Sequence, residues 1–221
     1  MKVLGIDTAG PVVGIAYVDS VTEYSWEARV NKGADIHLLR KLEWIMTQYR
    51  PELVSVSVGP GSFTSLRVGV SIALGIAEAL QTKIVAVSSL EARAKLAPAT
   101  ECLAVLDARK KRVYGQFFDS TSEIPVPLGE AQDIAIEAFF SREEFVATGE
   151  GAEVYRKVIE EAGGFVPCDA TQNPALMVAK LGQLRSDEAI DPLHLSIEYI
   201  REAGVQPPKN LGIPTGKPQA K

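Results

Sequence analysis

The segment at residues 58–80 constrains the fold more than any other part of the chain. An apolar run ends there in a Gly-Pro-Gly turn, and a long apolar helical pattern follows. Ser62 and Thr64 stand where that helix begins, a position at which hydroxyl side chains commonly cap free backbone N–H groups. A strand, a glycine turn and a helix N-terminus are also a frequent anion-binding arrangement in α/β proteins. The segment therefore predicts an α/β fold.

Small residues recur every four positions along this helix, at Ser65, Gly69, Ala73 and Ala77. This spacing places them on one face of the helix. Glycine costs roughly 1 kcal/mol relative to alanine in a helix interior, so Gly69 requires compensation from close packing. Two packings remain open, because this face can lie on the chain's own sheet or can meet a helix of another chain.

The order of the elements predicts the fold of the first half. The pattern gives strands at 2–7, 12–18 and 24–30, a helix at 35–49, a strand at 53–58, the helix at 64–80, a strand at 83–87 and a helix at 89–96. This β-β-β-α-β-α-β-α order is that of a ribonuclease H-like half-domain. Such half-domains build the actin-like ATPase (ASKHA) fold.

The second half predicts a smaller α/β layer. Its pattern gives a hairpin at 101–108 and 112–118, a helix at 133–140, a strand at 144–149 and helices at 152–162 and 174–184. We therefore expect a ribonuclease H-like lobe in residues 1–98, a second lobe in 99–205, and a loose tail rich in Pro, Gly and Lys in 206–221. The predicted fold class is α/β, with two α/β lobes and mixed sheets.

Composition excludes several classes of function. A net charge of −5 argues against a nucleic-acid binder of the usual basic kind. Cys102 and Cys168 lie far apart, which predicts reduced thiols and a cytoplasmic location. The N-terminus reaches Asp7 after a single lysine and predicts no signal peptide. Glu78 interrupts the apolar helix, so we expect no membrane segment.

Candidate chemical groups are few, and each has two interpretations. Asp7 at the end of the first strand can hold Mg²⁺ or nucleotide phosphates, or it can cap a tight turn. Gly61, Ser62 and Thr64 can contact a phosphate or form an ordinary helix start, and the turn lacks the lysine of a Walker A loop. The two histidines, at positions 37 and 194, lie in different lobes without a second ligand at metal-binding spacing. No catalytic residue and no metal site are predicted.

A basic cluster lies in the predicted hairpin turn. It consists of Arg109, Lys110, Lys111 and Arg112. It can be a solvated turn, or it can contact a nucleic-acid backbone.

Four motifs make the chain similar to the TsaB (YeaZ) family over nearly its whole length. They are IDT at 6–8, GPGSFTSLRVG at 59–69, DAR at 107–109 with VY at 113–114, and YIR at 199–201. The chain departs from that family at Ala9, where a serine is usual, and at Ser65, where a glycine is usual.

A sister family of TsaD-type enzymes carries the motif HxEGH, whose two histidines hold the catalytic metal. The matching place here reads SLEAR at residues 89–93. Serine and arginine replace the histidines, and arginine stays protonated at neutral pH and cannot ligate a metal. The resemblance therefore implies a subunit that retains the scaffold without the metal site.

The resemblance implies a cytoplasmic, non-catalytic subunit without a cofactor of its own. It would be required for N6-threonylcarbamoyladenosine formation beside the tRNA anticodon. Its implied partners are a TsaD-type catalytic subunit, a TsaE-type ATPase that docks on the pair, and tRNA indirectly, with a homodimer when the chain is alone. The expected partner surface consists of His37, Leu38, Lys41, Leu42, Ile45, Ser65, Leu66, Gly69, Val70, Ala73 and Ala77.

Two other functions remain open. A stand-alone actin-fold phosphotransferase would use Asp7 to hold Mg²⁺ and the turn at 59–64 to hold phosphate. A metalloprotease would need paired histidines, which this sequence does not provide.

Overall fold

Two mixed β-sheets, built from successive parts of the chain, form the frame of the molecule. The structure is a computed structural model that describes residues 1–29, 34–140 and 144–200, without the side chains of 34–37. The first sheet contains β1 (Val3–Asp7), β2 (Val12–Val18), β3 (Glu23–Arg29), β4 (Leu53–Gly59) and β5 (Ile84–Ser88). Its helices are α1 (Ala34–Tyr49), α2 (Phe63–Leu80) and α3 (Ser89–Ala94).

The first sheet has the strand order β3-β2-β1-β4-β5. Strands β1 and β2 are antiparallel, whereas β1, β4 and β5 run parallel and place their carboxyl ends at one edge. Every residue of β1, β2 and β4 is buried, as expected when both faces of a sheet are covered. The predicted ribonuclease H-like half-domain is confirmed.

Helix α2 faces this sheet with its small residues. A Cβ atom at Gly69 would lie 3.0 Å from Thr8 Cγ2 and closer still to Thr8 Oγ1. Ala73 and Ala77 are fully buried. The interpretation in which this face meets another chain is therefore wrong, because close packing on the chain's own sheet occupies it. By length and composition alone α2 is long and apolar enough to cross a membrane, although Glu78 interrupts its apolar sequence. In the structure it is a helix of the sheet layer.

The second sheet has the strand order β11-β10-β6-β7-β8, with β9 paired to β7. Its strands are β6 (Glu101–Arg109), β7 (Arg112–Asp119), β8 (Val126–Pro127), β9 (Gln132–Ile134), β10 (Phe145–Thr148) and β11 (Gly164–Phe165). Two helices accompany it, α4 (Glu150–Val154) and α5 (Arg156–Glu161), together with the 3₁₀ helix Ile136–Phe139.

Two helices predicted in this lobe differ in the structure. The segment at 133–140 forms β9 and a 3₁₀ turn, because the edge of β7 offers backbone partners and Ile136 and Phe139 turn into the core. The segment at 152–162 contains two short helices, since the backbone leaves the helical region at Tyr155, with φ −106° and ψ 15°.

The chain then returns to the first sheet. Helix α6 (Ala175–Leu184) buries Ala175, Val178, Ala179 and Leu181 against strands of that sheet. Two 3₁₀ turns follow, Ser186–Glu188 and Pro192–His194. Residues 175–200, expected in the second lobe, thus cover the first sheet instead, because its second face is apolar and needs a cover. The predicted tail at 206–221 lies outside the described residues.

Candidate functional site: a filled cleft and an exposed helical face

The cleft between the two sheets is filled by the side chain of Arg93. Helix α3 carries this residue, and its side chain is fully buried. Its Nε and Nη2 donate to the two carboxylate oxygens of Glu150 at 2.6 and 2.8 Å. Both terminal nitrogens donate to Asp7 at 3.3 Å, and Nη1 also donates to the Ser89 carbonyl at 2.8 Å. All five N–H groups of the guanidinium are therefore satisfied.

Asp7 lies at the carboxyl end of β1, as predicted, but protein donors surround it. The Ser57 hydroxyl donates to Oδ2 at 2.5 Å, and the Asn173 amide donates to Oδ1 at 3.3 Å. Arg93 donates to both oxygens, and Asp7 has no exposed surface. Both oxygens that a metal ion or a phosphate-bound Mg²⁺ would need are committed to the protein itself.

The opposite charges in this cleft stabilise the protonated form of Arg93. Burial alone would lower the pKa of the Arg93 guanidinium, but the charges of Asp7 and Glu150 outweigh burial and raise it. A Cβ atom at Gly10 would lie 2.9 Å from Glu150 Cδ and 3.2 Å from Arg93 Nη2. The backbone of the turn after β1 thus packs directly on the ion network, which leaves no space there for a further group.

The segment at 89–93 lies on one short helix, and its side chains point to different surroundings. The Ser89 hydroxyl is buried and lacks a hydrogen-bond partner among the described residues. Glu91 faces Arg185, whose Nη1 donates to it at 2.9 Å. Burial raises the pKa of the Glu91 carboxyl, and Arg185 opposes this effect. Within the described residues there is no group of three or more His, Cys, Asp or Glu side chains that could hold a metal ion.

The glycine turn before α2 is covered by the chain itself. The Glu198 backbone N–H donates to the Val58 carbonyl at 2.8 Å, and a Cβ atom at Gly59 would lie 3.2 Å from the Glu198 carbonyl carbon. Ser62 occupies the N-cap position but its side chain makes no cap hydrogen bond, which corrects the capping interpretation for this residue. Gly61 is half-buried and Ser62 and Thr64 are exposed, whereas Asp7 is fully buried, so these three candidate cofactor residues do not converge with Asp7 on one open pocket.

The outer side of α2 is apolar and open to solvent. A groove of about 520 Å³ runs along it and is lined by Leu39, Phe63, Thr64, Arg67, Val68, Ser71 and Ile72. Leu39 is 55% exposed and Val68 44%. Only 28% of the residues of α2 are buried. We call this surface, which exposes apolar side chains of both helices, the α1/α2 groove.

The expected partner surface lies on the correct two helices but names mostly inward residues. Eight of its members are buried in this chain: Leu38, Leu42, Ile45, Leu66, Gly69, Val70, Ala73 and Ala77. Lys41 and Ser65 are half-buried, and the side chain of His37 lies outside the described residues. Leu39, Val68 and Ile72 line the groove but were not expected from the sequence. A helical projection that placed the small residues on the sheet would have found Val68 and Ile72 outside.

A polar and aromatic cluster borders one end of the α1/α2 groove. The Arg67 guanidinium lies 3.8 Å from the centre of the Phe63 ring, and its Nε donates to the Tyr199 hydroxyl at 3.3 Å. The rings of Phe63 and Tyr199 are 5.2 Å apart. Cation–ring contacts of this kind hold a long flexible side chain in one place. Arg67 is therefore presented as a fixed positive charge beside an apolar surface.

The predicted basic hairpin turn forms the tip between β6 and β7. Arg109, Lys110 and Lys111 adopt left-handed backbone conformations, with φ of 62°, 53° and 61°. The Asp107 carboxylate accepts a hydrogen bond from the Arg109 N–H at 2.9 Å. Arg112 pairs with Asp133 at 2.8 Å. The tip thus presents three exposed cationic side chains, whereas the fourth is engaged by β9.

Comparisons with known proteins identify the lineage. The TsaD family model, described as tRNA N6-adenosine threonylcarbamoyltransferase, matches residues 46–162, which is more than half of the chain. The tRNA threonylcarbamoyladenosine biosynthesis protein TsaB of Bacillus subtilis is 27% identical over 92% of this chain and 95% of its own length. TsaB of Escherichia coli is 31% identical over 52% of this chain. The chain belongs to the TsaB (YeaZ) family.

A solved structure supports the same fold for the family. The TM-score with YeaZ from Pseudomonas aeruginosa is 0.75, at 18% identity, and the match covers 90% of this chain and 99% of that one. The chain spans about half the length of the Escherichia coli and Buchnera aphidicola TsaB relatives it matches, at 53% and 55%. The predicted actin-like α/β fold is confirmed, and the resemblance drawn from the motifs is confirmed with it.

Proposed function

We propose that this chain is a cytoplasmic, non-catalytic subunit in threonylcarbamoyladenosine biosynthesis, and that it acts by binding a TsaD-type catalytic subunit. The α1/α2 groove carries this proposal. An exposed apolar surface on a long helix is a common signature of a protein–protein interface, because exposed apolar area favours association. The TsaB relatives, which are tRNA threonylcarbamoyladenosine biosynthesis proteins, supply the pathway.

The filled cleft supports the non-catalytic part of the proposal. A nucleotide-dependent enzyme of this fold needs a carboxylate free to hold a cation, and in this chain both oxygens of Asp7 accept hydrogen bonds from protein groups. The structure offers no observation that favours the phosphotransferase alternative. We therefore propose that the subunit uses no cofactor of its own.

The geometry of the groove favours a helical partner. Two neighbouring helices with apolar side chains between them accept a helix from another chain by ridge-and-groove packing. The same surface on a second copy would satisfy this requirement when the catalytic subunit is absent, which gives a homodimer. Arg67 at the rim adds a fixed charge that can select an acidic partner residue. A TsaE-type ATPase then joins the assembled pair.

The experiment measures binding to the TsaD-type protein of the same organism. Val68→Asp places a charge in the centre of the α1/α2 groove and should weaken that binding by at least about 100-fold, since a desolvated unpaired charge opposes association. Val154→Asp is the matched control, because Val154 is 62% exposed on α4, away from the groove. It should bind as the unmodified chain does. Equal binding by the Val68 variant would refute the proposed surface.

The hairpin tip offers a tRNA contact within such a complex. Arg109, Lys110 and Lys111 are exposed cations on an acidic chain. Replacing all three with alanine should weaken tRNA binding by the assembled complex and reduce its salt dependence, because fewer counterions are released. Replacement of Lys157, an exposed lysine of α5, serves as the control. An unchanged salt dependence of tRNA binding in the tip variant would show that the tip does not contact tRNA.

A further inference from the structure

The buried ion network connects the two sheets of the molecule. Asp7 ends β1 of the first sheet, and Glu150 begins α4 directly after β10 of the second sheet. Arg93 lies between them on α3 and pairs with both carboxylates. One guanidinium group therefore joins two carboxylates that are far apart in the sequence and belong to different sheets.

Stability alone does not account for three charged groups in this place. Removing charges from water is costly, and apolar residues of similar volume often give equal or greater stability than a buried ion pair or triad. Arg93 is nevertheless the largest fully buried side chain among the described residues. Arg93 makes a forked contact with Glu150, a geometry that lysine cannot reproduce and that fixes both distance and orientation.

The cleft has no space for another occupant beside Arg93. Gly10 approaches both Glu150 and Arg93 so closely that a Cβ atom would overlap them. Gly149, which precedes Glu150, places its α-carbon where a Cβ atom would lie 3.2 Å from Arg93 Cδ. The guanidinium is thus enclosed by backbone from both sheets.

We propose that Arg93 is an internal cation that locks the cleft between the two sheets in a closed state. Asp7 and Glu150 form an acidic pair that the chain itself neutralises, and without Arg93 this pair is a binding site for a small planar monovalent cation. The lock holds the first sheet, and with it α2, in a fixed orientation relative to the second lobe. It does so independently of any partner.

Chemical rescue tests the internal-cation part. The part of the arginine side chain that Arg93→Ala removes is equivalent to ethylguanidinium. The substitution should lower the melting temperature by about 10 °C, because two buried carboxylates lose their partner. Ethylguanidinium at millimolar concentration should raise the melting temperature of this variant and leave the unmodified chain unchanged. Arg112→Ala is the control, since its pair with Asp133 is half-exposed. Equal responses of the two variants to ethylguanidinium would overturn the proposal, as would no response by the Arg93 variant.

Distance measurements test the lock and do not depend on the alanine variant folding. Spin labels on Cys168, which is exposed, and on an exposed position of α1 (Gln48→Cys) report the separation of the two lobes. The unmodified chain should give one narrow distance distribution. Glu150→Gln and Arg93→Lys should each broaden it, because the forked contact is weakened while the cleft stays filled. A narrow, unchanged distribution in both variants would overturn the lock and leave Arg93 as a residue of stability alone.

Discussion

Helix α2 contains two glycines for which the same substitution should have opposite effects. At Gly69 a Cβ atom would lie 3.1 Å from Thr8 Cβ and 3.0 Å from Thr8 Cγ2, with Thr8 Oγ1 closer. Thr8 is buried, and its hydroxyl donates to the Ser65 carbonyl at 2.7 Å. Gly69→Ala must therefore displace Thr8 and break that bond. At Gly75 nothing lies within 4 Å of the corresponding position.

The magnitudes follow from these contacts. Overpacking costs about 1–3 kcal/mol and the lost hydrogen bond about 1 kcal/mol, whereas the better helix propensity of alanine returns about 1 kcal/mol. Gly69→Ala should thus lower the free energy of unfolding by about 1–3 kcal/mol, or roughly 3–10 °C in melting temperature. Gly75→Ala should raise it by about 0.5–1 kcal/mol.

Urea unfolding followed by circular dichroism measures both variants on the same scale. The slope of the transition should stay unchanged, since the surface exposed on unfolding is the same. The reasoning is refuted if Gly69→Ala is as stable as Gly75→Ala. Such a result would mean that the small-residue face of α2 does not press on β1 and its following turn, and that it is available to a partner after all.

Two further predictions concern titratable side chains. At pH 8 a thiol reagent should react with Cys168, which is exposed, and should reach Cys102 only after unfolding, because burial raises the pKa of that thiol to about 11; two reactive thiols in the native protein would contradict this. The Tyr17 hydroxyl and two backbone N–H groups lower the pKa of Asp19 to about 2. The unmodified chain should therefore be more stable than the Asp19→Asn variant above about pH 4, and this difference in unfolding free energy should disappear as the pH falls to about 2. Measuring the unfolding free energy of both proteins across this pH range checks the prediction. A difference that does not depend on pH would exclude it.

The fold could be predicted from the sequence because its signals are local. Strands β1, β2, β4 and β5 are short, largely apolar runs, β3 alternates between polar and apolar residues, and each helix shows its own period. The helix predicted at 133–140 failed for a non-local reason. Its apolar residues suit either a helix or a strand that passes into a turn, and the free edge of β7 decided between them.

The exposed face of α2 was misassigned because the helix is apolar on two sides. Small residues and branched residues both lie on it, and a sequence does not say which side the sheet takes. The structure resolves this through Gly69, whose lack of a side chain allows α2 to approach Thr8. Val68 and Ile72 then face outward by elimination.

The ion network in the cleft was beyond local analysis as well. The resemblance to the sister family places Arg93 where a metal ligand is expected, but Glu150 lies 57 residues further on, in the other lobe. Nothing in the spacing of Glu150 indicates a pair with Arg93. Asp7 was correctly placed at a strand end, and its meaning changed once Arg93, Ser57 and Asn173 were found around it.

The filled cleft and the exposed face of α2 have a common physical basis. A carboxylate at the end of β1 is useful for binding a nucleotide only while its oxygens are free, and Arg93 removes that freedom. An apolar helix face that is exposed to water favours association, and only 28% of the residues of α2 are buried. The residues that close the cleft therefore do not cover the groove, and a change in the groove at Val68 should leave the network around Arg93 intact. The surface that we propose for partner binding is thus the outer side of α2, on a scaffold whose inner cleft is occupied by its own side chains.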